Sequence, residues 1–319
     1  MLTSQDLHQF VIDRRRDRDY AKLCEAFHET DSLYVDPIFG AYRGRQAITD
    51  WLVPIMGRAG DGKAGNTSYD DVAEALLIGD ASFVEWRQLA HLPGGETKEL
   101  VRGCGIRRYG DGAITFAADY FDTCPLRQRA AAAIGEAMGA TLTRDDISPA
   151  ASDLSWQLAL RRPRERWDGP PPANAPGSLT DDEIARLESE AGARGDFGAI
   201  CDLFHPTESV YIDPLFGRFE GQQAIRDWLV PTMKGAGRVV FTPVAPVLTA
   251  PGLRVTEWLM VATLEDGSEV ALTRGCSVRR MRDGWMVYAA DYFDTWPLRR
   301  MARQGIGERM GATIGPQLA

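Results

Sequence analysis

The 319-residue chain is 44% hydrophobic and 25% charged, the balance of a folded globular protein, which excludes a disordered or collagen-like chain. Its formal net charge of −9 speaks against binding to nucleic acid, whose affinity comes from clustered Lys and Arg, and the short run "RRPRER" (Arg161 to Arg166) does not reverse that balance. No apolar stretch reaches the roughly 18–20 residues that cross a bilayer, and the opening "MLTSQDLHQF" lacks the layout of a signal peptide, so a cytoplasmic location without membrane contact is expected.

In chain order, "SQDLHQFVIDRRRDRDYAKLCEAF" has apolar residues at helical spacing with a charged break, which predicts two helices. "SLYVDP" reads as a short strand ended by proline, and "GRQAITDWLVPIM" as an amphipathic helix stopped or kinked at Pro54. The glycine-rich "GRAGDGKAGNTSYDD" reads as a loop. Long alternating runs follow, "VAEALLIG", "ASFVEWRQLAHL", "TKELVRGCGIRRY" and "AITFAADYFDT", separated by "PGGE" and "GDG" turns. The helix "PLRQRAAAAIGEAM" closes the series with proline in its first turn. Helices segregated beside an antiparallel sheet define an α+β class, and a strongly curved sheet can enclose an apolar pocket.

The whole series occurs twice. "YVDPIFGAYRGRQAITDWLVP" (Tyr34 to Pro54) returns as "YIDPLFGRFEGQQAIRDWLVP" (Tyr211 to Pro231), and the spacing from Asp36 to Asp213 also separates Cys24 from Cys201, His28 from His205 and Trp51 from Trp228. Farther on it shortens by five residues, pairing Glu85 with Glu257, Arg102 with Arg274, and Asp119 with Asp291. The loss falls in the glycine-rich loop, where length is cheap to change. Two domains, 1–145 and 179–319, are expected, joined by a proline-rich linker over 146–178. The five cysteines contain no CxxC pair and are expected to be reduced thiols.

The element order, the Asp-Pro strand end, the Gly-x-x-Ala-Ile helix start and the "DYFD" of the last strand resemble the nuclear transport factor 2-like superfamily. That superfamily includes SnoaL-like polyketide cyclases, ketosteroid isomerase and limonene epoxide hydrolase. The resemblance covers nearly all of both units and implies two tandem cone-shaped α+β barrel domains, each a curved antiparallel sheet packed on about three helices. It places Asp36 and Asp213 at the general base of ketosteroid isomerase, while Ile12 and Cys104 stand where that enzyme has its oxyanion-hole tyrosine and aspartic acid. Asp119 and Asp291 match the acidic residue on the last strand of limonene epoxide hydrolase, whose Arg-x-Asp falls near Glu85 and Arg87, or Glu257 and Leu259, with the order of charges changed.

Strand alternation puts Asp119 on one face with Ala117 and Phe121, where burial would raise a carboxyl's pKa toward that of an acid–base catalyst. Glu85 and Glu257 are the expected second carboxylates, so the catalytic candidates are Asp119, Asp291, Asp36, Asp213, Glu85 and Glu257. Arg102, Arg274 and Arg87 are candidates to pair with carboxylates or substrate. Tyr34 and Tyr211, two residues before Asp36 and Asp213, are candidates to donate to an oxyanion. His28 and His205 complete the substrate-binding set, but with only Cys24 or Cys201 one turn away they make too few ligands for a metal. Each carboxylate also has a structural alternative: Asp36 and Asp213 as turn caps, Asp119 and Asp291 as buried partners of arginine.

The expected activity is that of a cofactor-independent lyase or isomerase, aldol-type carbon–carbon chemistry included, on a small apolar, aromatic or polycyclic metabolite. No metal or cofactor site is expected. The alternatives are an epoxide hydrolase or dehydratase, and a non-catalytic binding or assembly module in which the duplication makes an internal pseudo-dimer open to further homo-oligomerisation.

Overall fold

The computed structural model describes residues 2–60, 67–91, 95–126, 154–164, 174–303, 305–310 and 312. The chain separates into two compact units, Met1–Asp153 and Leu154–Ala319. The helix expected over "PLRQRAAAAIGEAM" lies outside the described residues past Leu126, while its counterpart forms at Trp296–Arg303.

Each unit opens on two capped helices. Thr3 accepts the Asp6 N–H while the Asp6 carboxylate takes the Thr3 N–H, starting the helix Ser4–Arg16, and Asp19 caps Tyr20–Cys24. Thr180 with Glu183, and Asp196, start Asp181–Arg194 and Phe197–Cys201 in the same way. The inward faces of these helices bury Leu7, Val11 and Leu23 against Phe27, Ile48 and Ile114, and Ile184, Ala191 and Ile200 against Phe204, Ile225 and Met286. Fully burying each large side chain is worth about 1.5–3 kcal/mol, so these clusters fasten the helices to the sheet.

In the first unit β1 (Leu33–Asp36), β2 (Gly40–Arg43), β3 (Thr67–Asp71), β4 (Leu76–Ile78), β5 (Ala81–His91), β6 (Thr97–Gly110) and β7 (Ala113–Phe121) form a sheet in the order β2-β1-β7-β6-β5-β3, with β4 on β5. The second unit repeats it with β8 (Val210–Asp213), β9 (Gly217–Glu220), β10 (Val239–Pro243), β11 (Leu248–Ala250), β12 (Leu253–Thr263), β13 (Glu269–Arg282) and β14 (Trp285–Phe293). Both are mixed α+β units with open, curved sheets.

Three details differ from the sequence reading. The sheets are not wholly antiparallel: β1 runs parallel to β7, and β8 to β14, because the chain reaches the last strand only after the long meander. The proline does not stop the third helix, which continues through Pro54 to Gly60 and through Pro231 to Gly235. The stretch read as a glycine-rich loop ends in β3, whose Thr67–Asp71 pair with Trp86–Ala90.

Within the segment 146–178, Ser155–Leu160 form a 3-10 helix. Leu154 and Leu158, one turn apart, pack against Val244, Leu259, Val261 and Ala271, so this stretch contributes to the core of the second unit.

Candidate functional site

In both units the last strand brings its aspartate to the tyrosine of the first strand. β1 lies beside β7 with Tyr34 opposite Ala117, which sets the Tyr34 Oη 2.5 Å from Asp119 Oδ2; Tyr211 stands opposite Ala289 and its Oη is 2.5 Å from Asp291 Oδ2. Burial first, and then the neighbouring carboxylate charge, push both tyrosine pKa values well above the ordinary phenol range, so both remain phenols.

The second unit surrounds this pair with a polar network. Ser277, opposite Asp291, donates to Asp291 Oδ1 at 2.6 Å and accepts the Trp258 indole N–H at 2.7 Å. An indole N–H can only donate, so it fixes the serine hydroxyl toward the carboxylate. Arg279 donates from Nη1 to Asp291 Oδ1 at 3.0 Å, from Nη2 to Tyr211 Oη at 3.3 Å, and from Nε to Glu188 Oε1 at 2.8 Å. Burial opposes the Arg279 charge, but Asp291, Tyr211 and Glu188 outweigh it and raise its pKa well above the ordinary value. Three donors therefore converge on Asp291.

These groups line a cavity of about 830 Å³ in the second unit, together with apolar and aromatic side chains such as Phe204, Trp228, Phe241, Met260 and Phe293 and with the charged Arg162, Arg164, Arg254 and Asp213. Its size and its mix of an apolar wall with a few convergent polar groups suit a small-molecule site. Phe219 stacks on Trp228 at 4.2 Å and Tyr211 meets its edge at 5.0 Å, which holds the tyrosine ring in place.

The other sequence candidates are placed elsewhere. Asp36 Oδ1 accepts the N–H groups of Ile38 and Phe39 at 2.7 and 2.9 Å, and Asp213 Oδ1 those of Leu215 and Phe216 at 2.8 and 2.9 Å, so both cap the turn after the strand. Asp213 also lines the cavity. Glu85 and Glu257 do not meet the aspartates: Glu257 stands opposite Cys276 while Asp291 stands opposite Ser277, one residue along, which puts the two carboxylates on opposite faces of the sheet. Glu257 instead accepts from Arg274 Nη2 at 2.9 Å, and Arg274 Nη1 reaches Gln157 at 3.3 Å. Arg102 pairs with Glu99, and the half-exposed Arg87 with Asp70 at 3.6 Å. The Nδ1 atoms of His28 and His205 accept N–H groups of the turns that follow them, over Cys24 and Cys201 that are packed in the core. Among the described residues no three His, Cys, Asp or Glu side chains converge as a metal set, and no helix is long and apolar enough to cross a membrane.

Arg107, Arg279, Ser277, Trp258 and Glu188 are the site residues that sequence reasoning missed. The arginines were hidden by a β-bulge. Pairing outward from the turns that join β6 to β7 and β13 to β14 would place Arg108 and Arg280 on the aspartate face, but the register shifts by one residue beyond Tyr109 and Met281 and turns Arg107 and Arg279 inward.

A family model described as the SnoaL-like domain matches residues 186–289, a stretch that holds Glu188, Tyr211, Trp258, Ser277 and Arg279 and ends just before Asp291. The chain carries a SnoaL-like domain. A nuclear transport factor 2-like protein from Cytophaga hutchinsonii is 17% identical, covering 40% of this chain and 96% of its own at a TM-score of 0.29. A candidate polyketide cyclase from Sinorhizobium meliloti is 21% identical, covering 34% and 93% at a TM-score of 0.28. A protein with a ketosteroid isomerase-like fold from Catenulispora acidiphila, in complex with trimethylamine, is 22% identical, covering 37% and 86% at a TM-score of 0.28. No curated protein matches the chain. The matched stretch thus holds part of the cavity wall and all of the polar network but Asp291.

Proposed function

We propose that the protein is a cofactor-independent acid–base enzyme, a lyase or isomerase, and that the SnoaL-like domain of the second unit is its working site. The substrate is a small, largely apolar, ring-bearing molecule with a carbonyl or a hydroxyl on an activated carbon. The observation that carries the reading is the pairing of Asp291 with Tyr211 at 2.5 Å, in contact with Arg279, in the wall of an apolar cavity.

The carboxylate supplies a proton acceptor beside two donors. In the proposed step Asp291 takes a proton from a C–H next to the carbonyl, the electron pair moves onto the carbonyl oxygen, and Tyr211 and Arg279 hold the resulting oxyanion. Returning the proton at another carbon completes an isomerisation. If the proton is taken instead from a β-hydroxyl, the carbon–carbon bond breaks, the same oxyanion forms on the departing enolate, and its protonation completes a lyase reaction. The phenol suits this role because it carries its proton at neutral pH, and burial makes it still harder to ionise.

The test is Asp291→Asn and Asp119→Asn, separately and together, against a panel of aromatic and terpenoid ketones and hydroxyketones. Loss of about 100-fold or more in kcat with Asp291→Asn is expected, the size of a general-base contribution. Undiminished turnover in the double variant overturns the reading.

A further inference from the structure

Arg107 and Arg279 hold the same place in the two sheets, opposite Ala117 and Ala289, two residues before the site aspartates. Their surroundings differ. Arg279 is saturated by Glu188, Asp291 and Tyr211. Arg107 is only 8% exposed, and its Nε has no hydrogen-bond partner. Burial opposes its charge, and Tyr34 and Asp119 offset that through their charge and raise its pKa, but no side-chain acceptor takes the Nε proton as Glu188 does at Arg279. A guanidinium N–H kept from water and left without an acceptor calls for a ligand or a chemical role.

The cause is legible in the repeat. Val11 holds the position of Glu188, by the same spacing that separates Asp36 from Asp213, and like Glu188 it sits on the first helix of its unit. It is 3% exposed and offers no acceptor. Gly105 holds the position of Ser277, and a Cβ there would lie 2.8 Å from Asp119 Oδ1 and 3.3 Å from Arg107 Nη1, so the backbone leaves no room for a hydroxyl. The first unit thus lacks both of the groups that complete the network in the second.

We infer that the first unit is an anion site, in which Arg107 receives the carboxylate of a small apolar acid, the group that Glu188 supplies from within the chain in the second unit. With Asp119 the ligand restores the count of one cation and two anions found around Arg279. The surroundings suit an apolar ring: Val11 and Leu7 pack in one cluster with Phe27 and Tyr34, and Trp51 meets the Tyr34 ring at 4.9 Å. His8 does not compete as a cation, because burial, with the Arg107 charge, lowers its pKa. In the second unit Glu188 already fills that place at Arg279. This assignment is independent of the proton-transfer reading of the second unit.

Titration calorimetry of the full chain with benzoate, and with its neutral isostere benzamide, tests it. One benzoate per chain is expected, with benzamide at least about tenfold weaker, since a charge-assisted bond to the guanidinium is replaced by a neutral one. Val11→Glu builds the carboxylate in and removes the site; Glu188→Val opens a second one, raising the stoichiometry to two. Arg107→Met removes the site by another route and decides the matter if Val11→Glu does not fold, as judged by circular dichroism. No saturable benzoate binding, or binding that both Arg107→Met and a folded Val11→Glu leave unchanged, overturns the inference. Asp291→Asn, which tests the second unit, leaves the benzoate isotherm as it is, so either idea can fail without the other.

Discussion

Tyr211 Oη lies 2.5 Å from Asp291 Oδ2, and the same separation joins Tyr34 to Asp119 in the other unit. Both phenol pKa values are raised by burial and then by the carboxylate. Above about pH 10, where a free phenol ionises, the unfolded chain releases these protons while the folded one keeps them. The native state then binds more protons, so stability is complete below pH 10 and falls as the pH rises beyond it. Denaturant unfolding followed from pH 8 to 11 is expected to show this loss, and Tyr211→Phe to reduce its slope.

Asp213 can be a turn cap or a base, and two substitutions separate the roles. Asn keeps an oxygen that accepts the Leu215 and Phe216 N–H groups, while Ala removes it. Asp213→Ala is expected to cost about 1.5–3 kcal/mol, the scale for hydrogen bonds to a charged group. Asp213→Asn should retain most of that stability and also the turnover; a kcat loss of 100-fold in a fully stable Asn variant would make Asp213 the base.

The Glu257–Arg274 pair, 1% and 5% exposed, is a buried ion pair on the face away from Asp291. Glu257→Gln removes the charge that faces the buried guanidinium of Arg274 and is expected to cost about 3–5 kcal/mol. Glu257→Leu with Arg274→Met removes both charges and should recover much of that loss, with turnover unchanged. By contrast, removing the exposed Arg87–Asp70 pair is expected to cost less than about 1 kcal/mol. Urea unfolding of the four proteins checks all three statements.

Gly275 lies beneath Trp258, where a Cβ would stand 2.3 Å from two carbons of the indole. Gly275→Ala must displace that ring, at a cost of about 1–3 kcal/mol for overpacking, and with it the indole N–H that orients Ser277. A fall in melting temperature together with altered tryptophan fluorescence is expected. An unchanged spectrum would show that the ring accommodates the methyl group without moving.

The sequence alone determined the α+β class, the duplication, and the two halves of the central pair. Tyr34 and Asp119 are visible because strand alternation and a hydrophobic flank mark them as inward residues, and because each recurs in the other copy. It also offered the turn-cap role of Asp36 and Asp213, since Asp accepts N–H groups of the turn after a strand wherever it occurs there. Only the tertiary structure decided which charges meet. One extra residue, Thr115 in β7 and Val287 in β14, shifts the pairing so that Arg107 and Arg279 stand on the aspartate face instead of their neighbours. The same period-two rule, applied across strands in their actual register, sends Glu85 and Glu257 to the opposite face. Glu188 joins the site from a helix far along the chain, by a packing that local spacing does not encode. A strand's faces follow from its own residues, whereas its partners follow from register, and register is set by the whole sheet.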